Sequence, residues 1–365
     1  MENTLPAECG IGFNICGSDS TQCCEVICEN RYHICGELLN ECCLDTTSND
    51  FTWNIDTLGT WGSYLNDVAI INENDIWVVG VIMIDNEYFN TAHWDGNEWE
   101  IHRFIRPAPF AGVYSFHEDD LWFVDGCNIY HFDGDQFELM WECDWTDGLY
   151  NKIENIWGIS STDIFFYGRG GWIVHFNGNT FTIMDTGITA DVKEIWGVYD
   201  EVLGEYIIWA CGFTQQDETV ILKLQNGIWQ KWFERDYDDY IYFDENVISG
   251  PIISIWSNQP EELWAITYFG LFKINADDSS YFERYPNHDG WGNGYILNMT
   301  GNNWNDIYFT GDKGGVWHFN GEDSYQINSN SNLIYYRVES YNNTIISVGE
   351  IYSTYQGIIN VISKN

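Results

Sequence analysis

The stretch DIWVVG at residues 75–80 returns along the chain as DLWFVDG at 120–126, DIFFYG at 163–168, IIWACG at 207–212, ELWAIT at 262–267, DIYFTG at 306–311 and TIISVG at 344–349. Successive copies start 45, 43, 44, 55, 44 and 38 residues apart. Each is rich in β-branched and aromatic residues, which suit a pleated, half-buried surface, so each reads as a strand. A second apolar run precedes it, as in NIWGI at 155–159, EIWGV at 194–198 and SIWSN at 254–258. A third run follows and closes on a turn: HWDG at 93–96, HFDG at 131–134, HFNG at 175–178, LQNG at 224–227 and HFNG at 318–321. Asp-Gly and Asn-Gly mark hairpin turns because both positions tolerate positive φ. An aromatic strand after the turn completes the unit.

Four antiparallel strands per unit of this length is the signature of a propeller blade. The seventh unit stops after its third strand, GIINVIS at 357–363, while a lone aromatic strand, FTWNIDTLG at 51–59, precedes the first unit. The expected fold is therefore an all-β, seven-bladed β-propeller over residues 51–365. Residues 51–59 are expected to complete the last blade and leave no open seam in the ring, and residues 1–50 to form a separate disulfide-rich module. The recurring IW-G-x-x-x-x-DIW-x-VG and H-x-DG elements resemble the WD-like and secreted bacterial propeller repeat proteins over residues 51–365. The resemblance implies the fold and leaves function open, since such propellers serve as ligand platforms, scaffolds and occasionally enzymes. The fourth unit departs from the pattern, with an acidic insertion and Leu224 in place of the His.

Eight of the 11 Cys fall within the first 43 residues, which implies an oxidising compartment and an extracellular or cell-surface location. No export signal is visible at the start of the sequence. Cys9, Cys16, Cys23, Cys24, Cys28 and Cys35 follow the spacing C-x6-C-x6-CC-x3-C-x6-C, and with the STQCC stretch they resemble the inhibitor cystine knot, or knottin. That resemblance implies the pairs Cys9–Cys24, Cys16–Cys28 and Cys23–Cys35. Cys42 and Cys43 stand outside it, and the segment also reads as two 19-residue copies of C-x6-CG-x5-CC starting at Cys9 and Cys28. Either way a segment this short needs crosslinks for stability. Cys127 and Cys143 flank the third and fourth strands of the second unit and are expected to form a cross-strand disulfide. Cys211, inside an apolar strand, is expected to be a buried free thiol.

With 14 Lys+Arg against 56 Asp+Glu, the formal charge is −42, so the surface repels phosphate backbones and anionic lipid. Nucleic acid is not an expected partner, and no apolar run is long enough to span a bilayer. His93, His131, His175 and His318 recur at one repeat position, as do Asp75, Asp120, Asp163 and Asp306 before the second strand. Residues repeated blade by blade read as structural, the Asp as turn residues bonding local backbone. No nucleophile-elbow, zinc-protease, phosphate-loop or EF-hand spacing occurs, so positive signs of catalysis are absent.

In a propeller the loops from fourth to first strands gather at one mouth of the central channel. The least regular of them are CDWTDGLYN at 143–151, ERDYDDYIYFDENVISGP at 234–251 and PNHDGWGNG at 286–294. Aromatics beside carboxylates and amides suit sugar stacking or a Ca2+-bridged ligand. The candidate ligand-binding residues are Trp145, Asp147, Tyr237, Asp238, Asp239, Tyr242, Asp289 and Trp291. The expected function is non-catalytic binding of a glycan or protein at the channel face. The alternatives are a structural subunit whose N-terminal module contacts a neighbour in a homo-oligomer or filament, and a carbohydrate-active hydrolase or lyase using channel-face carboxylates.

Overall fold

The computed structural model describes residues 13–15, 23–25, 27–28, 31–35, 41–104, 108–143, 153–214, 218–235, 247–248, 250–268, 270–285 and 295–365. From residue 51 onward the strands form seven four-stranded antiparallel sheets, each built from consecutive strands except the last. Blade 1 comprises Tyr64–Asn72, Asp75–Ile84, Glu87–Trp94 and Trp99–His102. Blades 2 to 6 repeat that order, with first strands at Gly112–His117, Ile153–Ser160, Asp191–Asp200, Ile252–Trp256 and Ile296–Asn303. Blade 7 takes Leu333–Tyr341, Thr344–Ile351 and Gly357–Lys364 from the C-terminal end and Phe51–Leu58 from the N-terminal side. First strands of successive blades contact one another around the whole ring, blade 7 meeting blade 1, so they line the central channel.

Closure by the N-terminal strand is as the repeat count requires. Phe51–Leu58 pairs in unbroken register with Gly357–Lys364, from Phe51 opposite Lys364 to Leu58 opposite Gly357. Beside this seam the Asp–His pair of blade 6 receives both chain ends. Asp306 accepts from His318, Tyr308, Asn302 and the Lys364 ammonium. The other imidazole nitrogen of His318 meets Asn49 at 2.6 Å, and Phe51 packs edge-on to the ring. Burial opposes ionisation of Asp306, but those four hydrogen bonds hold its carboxyl well below the usual range.

The blades cohere through seven apolar clusters, one at each blade-to-blade interface. The Trp-Gly pairing in the first strands follows from this stacking. A Cβ on Gly197 would lie 2.6 Å from the Trp157 ring of the preceding blade, and one on Gly301 would lie 3.0 Å from Trp256. Each glycine therefore makes room for its neighbour's indole, and the seven wedges tile at close packing.

The repeated His and Asp are structural, as expected, but the Asp does not bond local backbone. His93 meets Asp75 at 2.8 Å, His131 meets Asp120 at 2.8 Å and His175 meets Asp163 at 2.7 Å. The same imidazoles lie on the second-strand aromatic, His93 on Trp77 with centroids 4.3 Å apart and His175 on Phe165 at 4.5 Å. Local backbone is served instead by the turn residue two places after each His. Asp95, Asp133, Asn177 and Asn320 each accept from the N–H groups two and three residues on, and the glycine between takes φ between 86 and 101°.

In blade 4 the alignment of Leu224 with the His slips by one residue. Asn226 and Gly227 form a tighter two-residue turn, with φ of 51 and 76°, and Lys223 is the residue opposite Trp209. In blade 5 Lys273 likewise faces Trp264. Lysine thus replaces histidine over the blade aromatic, and the Lys223 ammonium sits 5.6 Å from the Trp209 ring.

The N-terminal region contains two hairpins with the same register 19 residues apart, Phe13 opposite Glu25 and Tyr32 opposite Leu44. Cys28 is bonded to Cys42, which overturns the Cys16–Cys28 pair that the knottin resemblance implied. That bridge joins two cysteines of the second 19-residue copy, and the Tyr32–Cys35 and Glu41–Leu44 strands lie within the loop it closes or at its end. The second hairpin docks on its own propeller. Arg31 pairs with Glu262 and lies 4.6 Å from the Trp304 ring, while Asn305 donates to the Asp45 carbonyl at 2.9 Å. This own-chain docking gives the neighbour-contact reading of the module no support. Cys127 and Cys143 form the expected disulfide, and Cys211 is the expected buried free thiol.

Deleting residues 51–58 opens the last blade and removes half of the seam. The melting temperature, followed by circular dichroism, is expected to fall by at least ~10 °C, and an unchanged value rules out closure as a stabilising device.

Candidate functional site

Six of the seven first strands carry a β-bulge at one shared position, where the register shifts next to Asp67, Asn155, Glu194, Ser254, Asn298 and Arg337. A bulge re-aims a side chain that the regular pleat would direct elsewhere. The matching residue in blade 2 is Gly112, whose Cβ would lie 2.8 Å from the Glu154 carbonyl. This column carries the chemistry of the channel.

Arg337 is the hub. Its Nη1 and Nη2 reach the two carboxylate oxygens of Glu194, across the ring in blade 4, at 3.1 and 3.3 Å, and its Nε lies 3.2 Å from Asp67. Glu194 also accepts from Tyr167 at 2.8 Å, Asn298 at 3.1 Å and Ser254 at 3.3 Å. Asp67 accepts from the backbone N–H of Val68 and of Val113, each at 2.9 Å. Asn298 accepts from the N–H of Val338 at 2.9 Å. Every blade contributes at least one group, so the network ties all seven together at the axis.

The electrostatics follow from burial and pairing. Burial alone would disfavour the Arg337 cation, but Glu194 and Asp67 outweigh it and hold its pKa well above the ordinary value. Burial raises the pKa of Asp67 against the opposing pull of Arg337 and the two N–H groups. Tyr167 is pushed well up by burial and then by Glu194, which keeps it a neutral donor. A bidentate guanidinium–carboxylate pair with its remaining lone pairs satisfied is the arrangement in which buried charge is tolerable. These groups are spent on one another, and the arrangement works as an axial rivet.

Two residues farther along each first strand lies a second layer: Ala69, Tyr114, Trp157, Trp196, Trp256, Thr300 and Glu339. Tyr114 donates to the Gly158 carbonyl at 3.2 Å and Trp196 to the Ser257 carbonyl at 2.6 Å, each reaching the next blade. The aromatic arc over blades 2 to 5 faces a gap where blades 6, 7 and 1 supply smaller or acidic residues. There lies a cavity of about 180 Å³, lined by Ala69, Tyr114, Trp157, Trp196 and Glu339 with Asp67, Glu194 and Arg337 at its base. Burial, reinforced by Asp67 and Glu194 and opposed by Arg337, pushes the Glu339 carboxyl up to about 8.

A larger groove of about 700 Å³ lies on the outside between blades 4 and 5, lined by Asp200, Val202, Leu203, Glu205, Tyr206, Lys223, Glu261 and Asp277 among others. All eight residues expected to bind ligand, Trp145, Asp147, Tyr237, Asp238, Asp239, Tyr242, Asp289 and Trp291, lie outside the described residues. The Ca2+ expectation rested on the same loops. Among the described residues no cluster of three or more His, Cys, Asp or Glu is placed to hold a metal ion. Among them, too, no helix is long and apolar enough to cross a membrane. The bulge column went unread in the sequence, although a signal exists. The residue before the aliphatic or Met position of each first strand (Val68, Val113, Ile156, Ile195, Ile255, Met299, Val338) runs Asp, Gly, Asn, Glu, Ser, Asn, Arg around the ring, varying where that neighbour stays apolar.

Replacing Arg337 with Met leaves Asp67 and Glu194 buried without their cation. A loss of about 3–5 kcal/mol is expected in denaturant titration at pH 8. Because an unpaired buried carboxylate has a raised pKa, the folded state then gains from protonation, and the loss is expected to shrink as pH falls toward 5. A loss below ~1 kcal/mol, or one independent of pH, contradicts the rivet.

No family model and no curated protein matches the chain. Solved structures do, with the fold alone in common at these identities. YCF48 bound to D1 peptide aligns over 88% of this chain and 100% of its own with a TM-score of 0.63 and 14% identity. The WD40 β-propeller domain of Doa1 covers 86% of this chain and 97% of its own, with a TM-score of 0.61 and 10% identity. A catalytically inactive virginiamycin B lyase from Staphylococcus aureus, with quinupristin, covers 87% and 100% with a TM-score of 0.61 and 10% identity. The chain is thus similar in fold to propellers that include a peptide binder and a lyase.

Proposed function

We propose that the protein is a non-catalytic interaction scaffold that holds an extended, basic segment of a partner protein in the groove between blades 4 and 5. The observation that carries this reading is the tip of the first hairpin of blade 4, formed by Asp191–Asp200 and Glu205–Phe213. There Val202 is 95% and Leu203 62% exposed, beside the partly exposed rings of Tyr199 and Tyr206, which meet edge to face at 5.3 Å. Single exposed apolar side chains are ordinary, but a contiguous group of them marks a contact surface. The tip is also held in shape. The Asp200 carboxylate accepts from the N–H groups of Val202 at 2.8 Å and Leu203 at 3.0 Å, and Gly204 at φ 74° donates to the Asp200 carbonyl.

Charge supplies the choice of partner. Asp200, Glu205, Glu261 and Asp277 rim the groove on a chain of net charge −42, and among the described residues Lys223 is the one cation in its lining. A basic segment with apolar anchors complements both the rim and the tip. Peptide recognition by YCF48, a propeller of similar fold, supports this over a glycan. The cysteine pairs support an oxidising compartment, and we place the protein outside the cytoplasm on that ground.

The test is fluorescence polarisation with a set of labelled extended peptides, basic-apolar, acidic-apolar and uncharged, beside a glycan array. Basic-apolar peptides are expected to bind, with affinity falling as salt rises. Replacing Val202 and Leu203 together with Asp is expected to weaken binding at least ~10-fold with the melting temperature unchanged. Equal binding by the double variant, or binding confined to glycans, overturns the proposal.

A further inference from the structure

The channel cavity is built differently from its surroundings. The axial rivet below it is paired internally: Arg337 is hydrogen-bonded to Glu194 and ion-paired with Asp67, and both carboxylates accept further hydrogen bonds. Glu339 lies two residues beyond Arg337 on the same strand and lines the cavity, with no hydrogen bond or ion pair from any described residue. Opposite it stand the rings of Tyr114, Trp157 and Trp196. Ala69 and Thr300 occupy positions where the other blades place aromatics, so the gap in the aromatic arc falls on either side of Glu339.

We propose that this cavity is a binding site for an alkylammonium group, the chemistry shared by a lysine side-chain end and by small amines such as choline. An unpaired carboxylate facing a wall of Trp and Tyr offers a cation both a counter-charge and the negative faces of aromatic rings. Three carboxyl groups, Asp67, Glu194 and Glu339, surround a single guanidinium, so with all three ionised the site is left in negative excess and a further positive charge reduces it. A hard metal ion is a poorer occupant. Such an ion needs six or more oxygen ligands, and only the Glu339 oxygens are uncommitted. An anion is repelled by the three carboxyl groups, and a neutral molecule gains no counter-charge from Glu339. The volume, about 180 Å³, fits a trimethylammonium head but not a sugar ring with its hydration.

Proton linkage gives the site a signature. The groups facing Glu339 are Asp67 from blade 1, Tyr114 from blade 2, Glu194 from blade 4 and Arg337 on its own strand. Burial pushes Glu339 up to about 8, so the empty site holds a proton at neutral pH, and a cation must displace it. Affinity for a permanently charged probe is therefore expected to rise with pH and level off above about 8. With that pKa it is roughly 100-fold weaker at pH 6 than at pH 9.5.

The experiment is isothermal titration calorimetry of the full chain with tetramethylammonium chloride, whose charge does not titrate, at pH 6, 8 and 9.5. Its control is 3,3-dimethylbutan-1-ol, the neutral isostere of choline. Expected are binding of the cation that strengthens with pH, proton release at pH 7, no binding of the isostere, and at least a 10-fold loss in Glu339→Gln. Gln imitates the protonated carboxyl, so this variant is expected to fold at neutral pH, and the wild-type pH profile tests the site even where it does not. Choline against Nα-acetyl-lysine methylamide at pH 8 then decides between a free amine and a lysine side chain. Absence of tetramethylammonium binding up to 100-fold molar excess at pH 9.5, a flat pH profile, equal binding of the isostere, or equal binding by Glu339→Gln each overturns the proposal. Because the groove variants leave the channel untouched, failure here and failure of the groove reading are separate results.

Discussion

A ring of wedges is stable only if it closes, and here closure rests on one ladder between distant parts of the chain, Phe51–Leu58 against Gly357–Lys364. All other blade pairings are local hairpins, whose loop-closure entropy is small. This one must bring together strands some three hundred residues apart. Its return is that the last blade has four strands like the others and the ring has no open seam. The seam is reinforced by the repeat's own hardware. The Asp306–His318 pair, which elsewhere fixes only the inside of a blade, also receives Lys364 from the C-terminal strand and Asn49 from the N-terminal segment.

Closure in turn creates a problem at the axis. Seven first strands converge there, and a bulge on most of them turns a polar residue inward. Seven identical polar residues would repel or leave donors without acceptors, so the repeat has to break at that column. It breaks into one cation, two anions, amides and a hydroxyl, whose bonds join neighbouring blades and, through Glu194, also run across the channel. The Arg337–Glu194 pair links blades 7 and 4, on opposite sides of the ring, and so resists the splaying that neighbour-to-neighbour packing alone permits.

The sequence made the regular parts legible and hid the relations between units. Strand count, blade count and the closing strand followed from the period, because each blade must present the same faces to its neighbours. The histidines were readable as structural for the same reason, while their partners were not. Nothing in one-dimensional spacing shows that Asp75 and His93 lie side by side on adjacent strands. The Asn226-Gly227 turn hid Lys223 because its shorter loop shifts the register by one residue, and an alignment made on the turn cannot see that. In the head, cysteine spacing fitted two frameworks equally well, and the Cys28–Cys42 bridge with the repeated hairpin register favours the tandem copy. The loops chosen for ligand binding were chosen for their irregularity. The channel offers the subtler signal of a single variable column in an otherwise regular strand.

The scarcity of positive charge explains where chemistry concentrates. With 14 Lys and Arg against 56 Asp and Glu, self-repulsion opposes the compact state, and each cation placed in a contact is worth more than one left on the surface. Several sit at junctions. Arg337 fixes the axis, Lys364 the seam and Arg31 the docked hairpin, while Lys223 and Lys273 replace the blade histidines. Glu339 is where this economy leaves a deficit. It lines the channel cavity two residues from the axial arginine, and among the described residues no second cation meets it. A fold that pairs its other axial carboxylates from within therefore retains, at this point, the affinity for a cation from outside.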